Sequence, residues 1–135
     1  MTTKVVERTD DYTVELEPEL GIPVFTYNRF VTGEELREAA LRWAEVVEAE
    51  GADRYVVNTA EFMAHKDEDK KWLAESWIPK LLDLGVRVGA GVHADSAVAS
   101  LEKRRIETAL NEIDPRFEYR TFTSDADALA WLAEQ

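Results

Sequence analysis

The stretch VRVGAGVHAD, residues 86–95, decides how this chain is built. Its first seven residues are nearly all apolar or glycine, with no inside/outside alternation, so residues 86–92 read as a strand covered on both faces. Such strands belong to parallel sheets, which need a helical crossover on each side. The chain supplies them. Residues 67–84 read as a helix closing at Gly85, and residues 96–113 as a helix with Val98, Leu101, Ile106, Ala109, Leu110 and Ile113 on one side. Asp114-Pro115 stops that second helix, because a residue before proline is pushed out of the helical region.

Working outward, the same rhythm continues in both directions. Residues 54–59 form a strand, as do residues 117–123, and Ser124 caps a last helix carrying Leu129, Trp131 and Leu132. Upstream, a helix starts at Thr32 or Gly33, with Leu36, Ala39, Ala40, Trp43, Val46 and Val47 at helical spacing, and Gly51 ends it. Residues 12–16 alternate as a strand, residues 17–21 read as a turn, and residues 22–27 form a second strand antiparallel to the first. The order is ββαβαβαβα. The expectation is an α/β fold: one domain over residues 1–135, with a mixed, mostly parallel five-stranded sheet and four helices.

Bulk properties narrow the function. The chain has 135 residues, enough for one domain with a real core. It has no cysteine, which excludes disulfides, thiolate catalysis and Cys-ligated metals. With 28 acidic against 16 basic residues the net charge is −12, a surface that repels a phosphate backbone, so nucleic acid is not an expected partner. Hydrophobic residues make up 45% of the chain and there are four Trp, which argues for a folded core rather than disorder. An acidic, Lys-poor surface suits a halophilic protein from a salt-accumulating cytoplasm, where ions screen the self-repulsion. No apolar leader or membrane-length apolar run is present, so the expected location is cytoplasmic, without membrane insertion.

YVVNTAEF (55–62), WIPKLLDLGVRVGAGVHAD (77–95) and the closing YRTFTSDADALAWL (119–132) give the chain a resemblance. It resembles the STAS superfamily of anti-sigma-factor antagonists, and most closely a group of small uncharacterised bacterial STAS/SEC14-like proteins. The match covers most of residues 50–135 and rests on core positions. It implies a STAS-like fold and a module that binds proteins or small ligands. Antagonists of this type carry a phosphorylatable serine in the turn after the corresponding strand. Here Thr59-Ala60-Glu61-Phe62-Met63-Ala64-His65 offers no serine before the helix, and phosphate beside Glu61 and Asp67 would meet like charge.

The residues leave several sites open. Both histidines occur as His-x-Asp, His65-Lys66-Asp67 and His93-Ala94-Asp95, just past the carboxyl ends of consecutive strands. On neighbouring strands those ends would lie about 5 Å apart. Two imidazoles and two carboxylates would then suit zinc or another divalent metal. The structural alternative is that Asp67 and Asp95 are helix N-caps, with Glu68 and Asp69 complementing the helix dipole. The pattern at Gly89, Gly91 and Ala94 fits a dinucleotide motif, but its glycines fall inside a strand, where they more often admit a helix packed close above. Trp72 and Trp77 sit about 140° apart on a regular helix, which leaves Trp72 at the boundary, and Pro79 should bend or restart the helix near Trp77. Phe62, Met63 and Trp72, with His65, His93 and Asp95, are the ligand or interface candidates.

The expected function is a non-catalytic regulatory or protein-interaction module, with no catalytic residue and no cofactor, acting through a protein partner or self-association. A metal-binding protein or metal-assisted hydrolase built on His65, Asp67, His93 and Asp95 is the alternative. The SEC14-like side of the resemblance implies a third, binding of a small apolar ligand or lipid, which requires an internal cavity.

Overall fold

The computed structural model describes residues 4–60 and 66–135, and for residues 97–100, 102 and 103 the backbone alone. Its centre is one six-stranded sheet in the order β1-β2-β3-β4-β5-β6, built from Lys4–Arg8, Tyr12–Glu17, Ile22–Tyr27, Arg54–Asn58, Val88–Val92 and Glu118–Phe122. The first two pairings are antiparallel and the next three parallel. The sheet therefore has one strand more than the five expected. The added strand, β1, pairs with β2 through a register shift between Val5 and Glu7. Val5 and Val6 both stay exposed, so this strand has no buried face and no alternation by which a sequence pattern could reveal it.

The parallel strands lie in the sheet in their chain order, so right-handed crossovers carry every connecting helix to the same face. These are α1 (Gly33–Glu50), the α2–α3 segment (Asp67–Trp72 and Ile78–Asp83, joined by a π turn over Leu73–Trp77) and α4 (Ala97–Asn111). The last helix, α5 (Asp125–Ala133), has no following strand to reach and covers the opposite face, against β4, β5 and β6.

Strand alternation divides the core between the two faces. Ile22, Val24, Val56, Ala90 and Val92 pack with Ala128, Leu129 and Leu132 of α5. Phe25, Tyr27, Tyr55 and Tyr119 point the other way, into the layer of α1, α3 and the π turn. Trp43 of α1 is the centre of that layer. Its ring stacks on Phe25 at 4.8 Å and meets Tyr27 and Trp77 edge-on at 4.9 and 6.4 Å. Aromatic pairs of this kind add roughly 0.5–1.5 kcal/mol each beyond their buried area.

Three local devices hold the layers in place. Glu17 is 1% exposed, yet its carboxylate accepts from the backbone N–H groups of Glu19 and Leu20, closing the β2–β3 turn. Gly51, at φ 61°, ends α1 in the left-handed conformation that glycine adopts without steric cost. Pro79 has no N–H to donate, and its ring would collide with the preceding turn of a regular helix. The chain widens instead into the π turn, where the Ile78 N–H donates to the Leu73 carbonyl five residues back, and Pro79 falls in the first turn of α3.

Candidate functional site

The carboxyl edge of the parallel strands was the expected site. The strands that lead to the two His-x-Asp pairs are indeed neighbours, with Asn58 opposite Val92. His65, Phe62 and Met63 lie outside the described residues. His93 is 7% exposed at the end of β5, where its backbone N–H donates to the Phe122 carbonyl. Its Nδ1 lies 2.8 Å from the Ala94 carbonyl, which can only accept, so Nδ1 carries the proton. Asp67 points to solvent, with its side chain 99% exposed, and pairs with Lys70 at 3.3 Å. It is not the N-cap of α2: that position is Lys66, with no side-chain cap. Asp95 stands two residues before α4. No group of three or more His, Asp or Glu side chains converges among the described residues.

Other candidates find structural places too. Thr59 is 4% exposed and its hydroxyl donates to the Val92 carbonyl, fixing the end of β4 to β5. Trp72 is half-buried under the Arg37 guanidinium, 5.6 Å from the ring centre. The 140° divergence from Trp77 does not carry across a π turn, and both indoles pack against the same core. Asp69, expected at a solvated helix start, is 2% exposed and accepts from the Gly33 N–H at 3.1 Å. It caps α1 from a different helix, where Thr32 offers no side-chain cap of its own.

The feature that sequence reasoning missed is a cavity of about 400 Å³ between the α2–α3 segment and α4, with β3, β4 and β6 contributing to its lining. Its floor is made by three tyrosines, Tyr27, Tyr55 and Tyr119, and its walls by Trp43, Trp77, Leu73, Ile78, Ile106 and Leu110. Lys70, Lys71 and Arg105 stand among its lining residues on α2 and α4.

The glycines of the opening motif build this floor. Tyr55, Gly89 and Tyr119 lie opposite one another across three strands. A Cβ at Gly89 would come within 2.7 Å of the Tyr55 ring, and one at Gly91 would collide with the Tyr119 hydroxyl. The two glycines thus admit tyrosine rings from flanking strands, not a helix from above. A Gly-x-Gly strand between two tyrosine-bearing strands was the signal available in the sequence.

The floor is rich in donors that lack acceptors. Tyr55 is 1% exposed and Tyr119 7%, and neither hydroxyl has a hydrogen-bond partner among the described residues. The Trp43 indole N–H is fully buried and also lacks an acceptor there. Desolvation pushes the Tyr55, Tyr27 and Tyr119 phenols well above the usual tyrosine range, so all three keep their protons.

No family model matches this chain, and no curated protein does. Among solved structures, an uncharacterised protein of the DUF3478 family from Shewanella loihica, described as having a SpoIIAA-like fold, is similar over 98% of this chain and 96% of its own. The TM-score is 0.55 and the identity 13%. The likeness shows the fold: the chain has the SpoIIAA-like architecture that its resemblance to STAS proteins implies. No helix among the described residues is long and apolar enough to cross a membrane.

Proposed function

We propose that this protein is a non-catalytic regulatory module that binds one small, largely apolar molecule in the cavity between α3 and α4. The observation that carries the reading is the cavity itself. At about 400 Å³, walled by indole, leucine and isoleucine and floored by phenols, it has the size and the apolar lining with few polar groups typical of small-molecule sites. A two-chain phospholipid exceeds that space, so the ligand class is smaller.

The chemistry of the lining supports binding over turnover. Among the described lining residues there is no carboxylate, imidazole or serine, and the Thr59 hydroxyl is committed to a backbone carbonyl. Proton transfer at neutral pH needs a group whose pKa lies near the working pH. Burial drives the phenols away from that range. The SpoIIAA-like fold of an uncharacterised neighbour is consistent with a regulatory role, in which occupancy would alter the surface of α3 and α4.

Titration with phenylnaphthylamine, a neutral apolar fluorophore, tests this reading. Saturable one-to-one binding is expected, with quenching of the indoles at Trp43 and Trp77. Ala109→Trp, on the α4 side of the cavity, should abolish the signal while the chain stays folded. Absence of saturable binding, or equal binding by the Ala109→Trp chain, would refute the proposal.

A further inference from the structure

The lining of the cavity is mostly apolar, with two sets of polar groups: buried phenols on the sheet and exposed cations on the helices. At the floor, the hydroxyls of Tyr55 and Tyr119 sit over Gly89 and Gly91 with no acceptor among the described residues, although both residues are more than nine-tenths buried. A buried donor left unpaired is costly, and folded proteins contain few of them. Two such phenols on the floor of one cavity mark a place where an acceptor arrives from outside the chain.

Lys71 and Arg105, also among the lining residues, are exposed cations on α2 and α4. Neither makes an ion pair with any described residue, in a chain whose carboxylates outnumber its cations 28 to 16. Arg29, Arg42, Arg54 and Arg116 pair with carboxylates elsewhere on the molecule, and of the other cations without an ion pair among the described residues Lys71 and Arg105 are the ones that line the cavity. Two unpaired cations beside an apolar cavity, on so acidic a protein, are placed to receive an anion. A guanidinium matches a carboxylate with two parallel hydrogen bonds.

From these two sets of groups we infer the class of ligand: a small organic carboxylate with an apolar body, its anionic head held by Lys71 and Arg105 and a carbonyl-type acceptor at its far end reaching the Tyr55 and Tyr119 hydroxyls. This deepens the proposed function and rests on the cavity being a ligand site. The head is the charged, solvent-facing end, and the acceptor end replaces the missing partners of the phenols. Because burial keeps the phenols protonated, they serve as donors throughout the physiological range.

A matched set of probes tests each end separately. Para-acetylbenzoate and its longer acetylbiphenyl-carboxylate homologue carry both features. Their methyl esters lack the charge, and the corresponding ethyl-substituted acids lack the acceptor. Dissociation constants come from calorimetry on the full chain, with thermal unfolding followed for every variant. At least one acetyl acid should bind about tenfold more tightly than its methyl ester and about tenfold more tightly than its ethyl counterpart, as expected for one charge-assisted and one neutral hydrogen-bonded contact. In Lys71→Gln/Arg105→Gln the preference for acid over ester should vanish while the preference for acetyl over ethyl persists. In Tyr55→Phe/Tyr119→Phe the reverse should hold, and Tyr119→Phe alone supplies the readout where the double variant does not fold. Esters that bind as tightly as acids, or ethyl compounds as tightly as acetyl ones, overturn this inference and leave the cavity reading intact. If neither acids nor esters bind, both fall.

Discussion

At the scale of single residues, two positions carry consequences out of proportion to their appearance in the sequence. Asp69 looks like one of three acids opening a helix, yet it is buried and caps α1 through the Gly33 N–H. Asp69→Ala should therefore lower stability by about 1–2 kcal/mol in urea denaturation, the scale of a lost N-cap. Glu68→Ala beside it, an exposed position, should change it by no more than about 0.5 kcal/mol. Gly91 is the second case. An alanine there meets the Tyr119 hydroxyl, so Gly91→Ala should cost roughly 1–3 kcal/mol through overpacking. In a Tyr119→Phe background the colliding oxygen is gone and part of that loss should be recovered. A double-mutant cycle with no coupling would show that the phenol does not occupy the space above Gly91.

Among the elements, β1 and the π turn illustrate what a sequence does and does not reveal. The parallel strands and their helices were legible, because burial on both faces leaves an apolar run and burial on one face leaves a helical period. Ser124 was legible as a cap, and its hydroxyl does accept from the Asp127 N–H. β1 was not, since its valines are exposed and its place depends on backbone pairing and a clamp far away in sequence. In that clamp, Glu7 accepts from the Tyr12 hydroxyl and pairs with Arg42 of α1 at 3.0 Å. The cavity was hidden for a related reason: its floor joins residues of three strands, and its donors stand out only once their partners are found missing. The clamp also predicts a pH response. The Tyr12 hydrogen bond, aided by Arg42, holds the Glu7 carboxyl below its ordinary value. A carboxyl depressed in the folded state stabilises above its unfolded pKa of about 4.3 and loses that contribution as pH falls through the folded value. Amide exchange in β1 should accordingly rise relative to β2 and β3 below about pH 4. In Glu7→Gln that added acid sensitivity should be absent. If β1 exchange tracks β2 at every pH, the clamp does not hold the strand.

For the whole molecule, charge and the cavity are the two properties that reach beyond any one element. A net charge of −12 on 135 residues opposes compaction, and salt relieves it, since screening shortens from roughly 10 Å at 0.1 M to 3 Å at 1 M. The unfolding temperature should climb steadily from low salt into molar potassium chloride, and a flat or falling trend would remove the case for salt adaptation. The proposed function rests on the cavity, because a SpoIIAA-like fold does not by itself say what is bound. One direct measurement is a crystal structure of the chain with a short bromoalkane, read by the anomalous signal of bromine. The expected result is a bromine between Tyr55, Trp77 and Ile106, with the α3–α4 gap open around it. A gap closed by Leu73 packing onto Ile106, with no bromine above the tyrosine floor, would contradict it.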